Sequence, residues 1–192
     1  MAAVQVAPVA RRAGIATGTV YRYFPSKTDL VAALVANISE QEIGAIRKAA
    51  KAAPGPLSGL TASIATFATR ALRSPRLAWA VIAEPVDAEI EAVRVVYRKA
   101  LAEELQGRMT AAMQAGYLPS QDINLVAPAL VGALLEGLIG PLAPGSNDDP
   151  VRIRDAVQTL ALLSLRALGV VDARARGLVV QFALPAMEEG AG

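Results

Sequence analysis

Residues 11–27 read RRAGIATGTVYRYFPSK, and the parsing of this stretch decides the fold. Gly14 interrupts a helical run and suits the left-handed turn that closes a helix. Pro25 disfavours helix at Phe24, so it stops a second short helix that opens near Thr17. Ser26 can cap a third, with Asp29 placed three residues on to complete a capping box. Between these stops, Thr17, Gly18, Thr19, Tyr21, Arg22 and Tyr23 give the second helix a polar and aromatic surface without an acid. Such a surface suits a groove lined with phosphates. A supporting helix, a glycine turn and a second helix together make a helix-turn-helix, whose second member enters the major groove. Val9 and Ala10 are expected to face inward, with Ile15, Val20 and Phe24 completing a small core; Val20 and Phe24 are four apart and share a face. Gly18 lets the helix start approach DNA closely. Arg22 can pair with guanine edges or phosphate, and Lys27 opens a helix whose amides also favour an anion. The competing reading is two short surface helices with an aromatic packing patch.

Charge supports either reading. The 192-residue chain carries a net charge of +2, but residues 1–27 hold Arg11, Arg12, Arg22 and Lys27 and no acid. A basic head on a slightly acidic body fits a nucleic-acid module joined to something else, and equally an ordinary solvated surface. With 54% hydrophobic residues the chain can bury a substantial core. Cysteine and histidine are both absent. Disulfides and thiolate metal sites are therefore excluded, and the commonest general base and metal ligand are missing. This composition fits a reducing cytoplasm and argues against an enzyme. The N-terminus lacks the long apolar core of a secretory signal. The most apolar run, 125–142, contains Pro128 and Glu136 and falls short of the roughly 20 uninterrupted apolar residues of a membrane span, so it is expected to be a buried helix.

Proline and glycine cut the remainder into helix-sized pieces, and nothing alternates as a strand would. Helices are expected at 6–13, 17–24, 26–53, 60–73, 76–84, 87–115, 122–140, 151–168 and 173–187, with PGPLSG as a breaker and PLAPGSNDDP as an exposed loop. Asp87 and Asp122 are expected caps. The fold is thus all-α, an N-terminal helix-turn-helix head (1–45) joined by a shared third helix to a helical bundle (46–192).

Taken as one string, the head resembles the hallmark of the tetracycline-repressor (TetR) family of bacterial transcription regulators, A–x–x–A–G–V–S–x–G–T–x–Y–x–Y–F–x–S–K. Here it stands as Ala10, Ala13, Gly14, Ile15, Ala16, Gly18, Thr19, Tyr21, Tyr23, Phe24, Ser26 and Lys27. Ile15 and Ala16 replace the usual Val and Ser. Residues 77–98, LAWAVIAEPVDAEIEAVRVVYR, are similar to the family's ligand-binding and dimerisation domain. The resemblance implies a homodimer that reads a palindrome in double-stranded DNA, usually a repressor released by a small apolar or amphipathic effector, with no cofactor and no membrane. It puts Tyr21, Tyr23 and Lys27 on phosphates and Thr17, Thr19 and Arg22 on base edges. The family normally has a complete helix before the first one here, and Thr or Ser where Gln5 and Val6 stand. With only MAAVQ ahead of Val6, the resemblance implies a head lacking its first helix. The alternative is a helical ligand-binding or scaffold dimer whose shortened head no longer binds DNA.

In the bundle, Phe67, Trp79, Tyr97, Met109 and Met113 are large or adaptable side chains of the kind that line ligand pockets, and equally of the kind that fill cores. Glu84 and Glu136 are carboxylates in apolar surroundings that can meet a ligand donor or a cation; for Glu136 a helix edge or dimer face is the plainer reading. The helices at 122–140 and 151–168 are apolar on more than one face and so need partners on two sides, as a symmetric four-helix dimer interface supplies.

Overall fold

The computed structural model describes residues 4–143 and 149–182, and among them every regular element is an α-helix. The head comprises α1 (Val6–Arg12), α2 (Thr17–Tyr23) and the start of α3 (Lys27–Ala52). The bundle continues with α4 (Pro56–Arg73), α5 (Pro75–Ile82), α6 (Ala88–Gln114), α7 (Ile123–Leu142), α8 (Pro150–Ala167) and α9 (Asp172–Phe182). The end of the expected last helix, 183–187, and the middle of the expected loop at 141–150, 144–148, lie outside the described residues.

Local chemistry explains most boundaries. Gly14 takes φ 70°. Its N–H donates to the Arg11 carbonyl at 3.2 Å, and Ile15 N–H reaches back to Ala10 at 3.0 Å, closing α1 in a Schellman turn. Phe24 is extended before Pro25, so α2 ends one residue earlier than expected. The capping box forms: Ser26 N–H donates to Asp29 Oδ2 at 2.9 Å, and Asp29 N–H to Ser26 Oγ at 3.1 Å. Asp122 caps α7 through Asn124 N–H at 3.0 Å.

Three expectations are corrected. α4 opens at Pro56 rather than near residue 60, because a proline at the first helical position needs no amide partner and is set for the helix. Asp87 occupies the N-cap of α6, but its side chain makes no capping bond. On α1 the inward residues are Val6 and Ala10, one helical face at i, i+4; Val9 and Ile15 are 40% and 44% exposed.

α4 is the bundle's axis. It packs against α3, α5, α6, α7, α8 and α9, and is buried nearly all round. Small residues make this possible: a Cβ on Gly59 would stand 3.2 Å from the Ala50 carbonyl of α3. The buried hydroxyls of Thr61 and Ser63 donate to the carbonyls of Leu57 and Gly59, both at 2.9 Å, so neither hydroxyl is stranded. The hydrophobic residues form two clusters. Val6, Ala10 and Val20, with Phe24 and Leu30 half-buried beside them, make the head core. The bundle core begins one residue later, at Val31. Residue 45 falls inside α3, which runs unbroken past it.

α7 differs from α4. Its hydropathy and 20-residue length would suit a membrane span, yet only 33% of its most apolar window is buried in the chain. The burial expected of it is therefore reached only on the face carrying Ala127, Leu130, Val131, Leu134 and Leu138. Leu125, Ala129, Gly132, Ala133 and Gly137 leave another face exposed, made mostly of small apolar residues with the carboxylate of Glu136 among them. Leu163 on α8 is likewise 55% exposed.

Candidate nucleic-acid interface and ligand cavity

The turn at Gly14 and the stop at Pro25 leave α2 anchored on its inner side by one fully buried residue, Val20. Thr17, Gly18, Tyr21, Arg22 and Tyr23 are exposed along it, Thr19 is half-buried, and Lys27 is exposed at the first turn of α3. The Arg22 guanidinium lies over the Tyr23 ring, 5.3 Å from its centroid. Arg11 and Arg12 form the last turn of α1. The described part of the head thus presents cations, hydroxyls and phenols together, with the first acid at Asp29 already engaged in the capping box. Ala16 stands at the N-cap of α2 and offers no side-chain acceptor, where a serine would.

Two cavities in the bundle share the walls Val81, Ile82 and Tyr97. The larger, about 180 Å³, lies among α5, α6 and α7 and is completed by Arg94, Arg98, Gly132, Leu135, Glu136 and Ile139. The smaller, about 40 Å³, lies towards α3 and α4, against Ile38, Glu42, Phe67, Arg70 and Leu77. Arg70 grips Glu42 with two hydrogen bonds, of 2.7 and 2.8 Å. That pairing raises the guanidinium pKa above its ordinary value. Burial pushes the Tyr97 phenol well above its ordinary range, with the nearby Glu42 charge adding to the shift.

Of the sequence candidates, Phe67, Tyr97 and Glu136 line these cavities. Met109 is fully buried in the core and lines neither. Trp79 and Met113 are half-buried against the core, and Glu84 sits at the end of the turn after α5. Sequence reasoning passed over Arg94. It stands in the buried stripe Ile90, Arg94, Tyr97, Leu101 and Leu105 of α6, where a charge among core positions was the available signal. Its Nη2 donates to the carbonyls of Ala80 at 2.6 Å and Glu84 at 2.9 Å, securing the C-terminal end of α5. Glu91 accepts from both Arg94, at 3.4 Å, and Arg98. A third cavity, about 170 Å³, separates Lys27, Thr28 and Val31 of α3 from Pro85, Val86, Asp87 and Ile90.

A helix-turn-helix head on a helical bundle with a cleft among its helices defines a class of one-component regulators. Comparison with known proteins narrows it. The family described as bacterial regulatory proteins, tetR family, matches residues 1–34. The HTH-type transcriptional repressor KstR of Rhodococcus jostii (strain RHA1) is 30% identical over 154 residues, covering 79% of this chain and 69% of the relative. The crystal structure of RolR with its ligand resorcinol superposes with a TM-score of 0.68 at 21% identity, over 92% of this chain and 83% of RolR. The ligand-free RolR structure gives 0.68 at 22% identity, over 92% and 85%. The chain belongs to the TetR family: it is a transcriptional regulator and not an enzyme.

Proposed function

We propose that this regulator is a homodimeric repressor that binds a palindromic operator in the cytoplasm and releases it when a small amphipathic effector enters the bundle. The reading divides the labour between a DNA-binding head, 1–45, and a ligand-binding and dimerisation body, 46–192. Lys27, Tyr21 and Tyr23 hold phosphates, while Thr17, Thr19 and Arg22, with Gly18 permitting close approach, face base edges. The observation that carries the reading is the acid-free, exposed face of α2 on a TetR-family chain. Dimerisation is supported by the uncovered apolar stripe of α7 beside Leu163 of α8. Small residues at 129, 132 and 133 let a second helix pair approach closely, and a two-fold interface covers both copies at once. Phe67, Tyr97 and Glu136 face the cavities that an effector would fill, and Trp79 is close enough in sequence to Val81 and Ile82 to report on occupancy.

Fluorescence anisotropy with DNA from beside the chain's own gene tests this. Specific binding with a steep inverse dependence on salt is expected. Lys27→Ala should weaken binding to all sequences alike and lower the salt slope by about 1. A folded dimer with no specific binding at low salt would sink the reading.

A further inference from the structure

Arg94, one of the residues that line the cavity among α5, α6 and α7, carries an unmet donor. Among the described residues, Arg94 Nε is the buried side-chain nitrogen or oxygen that lacks a hydrogen-bond partner. Arg94 is only 6% exposed. Its two bonds to main-chain carbonyls spend donors on neutral acceptors, and its ion pair with Glu91, at 3.4 Å, is shared with Arg98. A buried guanidinium compensated in this way is costly unless a further anion meets it. Arg98 stands on the same cavity wall. Across from them, on α7, Glu136 lines the cavity and is exposed. Val81, Ile82, Leu135 and Ile139 supply the apolar walls. The cavity measures about 180 Å³ and is partly open to solvent.

We propose that this cavity is an organic-acid site. Arg94, assisted by Arg98, receives the carboxylate of a small ligand with an apolar body, and Glu136 accepts from a hydroxyl at the ligand's other end. A carboxylate is preferred over a neutral oxygen because a charge-assisted hydrogen bond to guanidinium is about twice as strong as a neutral one. Glu136 disfavours a second anionic group and selects a donor. The assignment rests on the reading that this cavity is the effector site, and it names the chemistry of that effector.

Calorimetric titration of the purified full chain with 3- and 4-hydroxybenzoate and 3-hydroxybutyrate, each beside its carboxamide, tests it. At least one acid should bind ten times or more tighter than its amide. In Arg94→Gln that preference should fall below threefold, and Glu136→Ala should remove the gain from the hydroxyl. Arg94 also secures the end of α5, so the variant's helicity and melting are checked first. If Arg94→Gln does not fold, the acid-to-amide ratio on the native chain and its loss in Arg98→Gln decide the matter. Equal affinity for acids and amides, or no binding of any acid at millimolar concentration, overturns the proposal. Operator release, measured in parallel, separates it from the broader reading. An acid that binds without releasing DNA leaves the site standing and removes its effector role. Release by a neutral compound, with no acid bound, does the reverse.

Discussion

The head and the bundle are held together by different means. The head core is Val6, Ala10 and Val20, flanked by Phe24 and Leu30, whereas the bundle draws buried residues from α3 through α9. Burying three small side chains is worth on the order of 5 kcal/mol gross. Isolated helices shorter than about 12 residues are marginal in water, so the two seven-residue helices cannot hold themselves. They depend on α3, which the bundle fixes, and in operation on DNA. The difference teaches where each region's sequence constraint comes from: the bundle's from its own interior, the head's from an external surface.

Breaking the bundle should have the largest effect. Leu101 is 1% exposed at the centre of α6, and Leu101→Ala should cost about 2–5 kcal/mol, read as a lower melting temperature for the whole chain. Arg22→Ala should leave melting unchanged. It should cost roughly 1–3 kcal/mol of operator affinity, confined to particular base pairs in a binding-site scan. Equal losses on operator and random DNA would contradict base reading. Ala16→Ser sharpens the comparison in the opposite direction. It restores a hydroxyl cap on α2 and should stabilise the head by about 1 kcal/mol, visible as slower amide exchange at Thr17–Tyr23 and nowhere in the bundle.

The smallest effect is electrostatic. Hydrogen bonds from Arg176, and then Arg166, hold the Asp172 carboxyl below its ordinary pKa. A depressed carboxylate contributes stability that is present above its unfolded pKa of about 4 and fades as the pH falls through the lower, folded value. The melting temperatures of the native chain and Asp172→Asn should therefore converge on acidification. Any difference at neutral pH should be slight, because Asp172 is exposed.

What was legible in the sequence followed the same division. Gly14, Pro25, Ser26 and Asp29 act on adjacent backbone, so the head's turns could be read locally. Which apolar residues close its core could not. With so few neighbours, Val6 rather than Val9 is selected by the i, i+4 relation to Ala10. Pro56 looked like a breaker because proline's effect changes sign at the first helical position. In the bundle, residue type alone pointed to Trp79, Met109 and Met113, but lining a cavity depends on where three helices cross. Helix periodicity carries no such information. Arg94 was the exception: a cation on a buried stripe is visible in the string and asks for a partner.

The continuity of α3 has a mechanical consequence. At 1.5 Å per residue its 26 residues extend about 39 Å. A tilt of about 5° about its far end carries the first turn, with Lys27, through roughly 3 Å. That is several times the half-ångström window over which hydrogen-bond lengths vary. That turn borders an open cleft of about 170 Å³ against Pro85–Asp87. A stiff rod of this length would turn a tilt of a few degrees in the bundle into a shift of several ångströms at its head end, without any helix having to unfold.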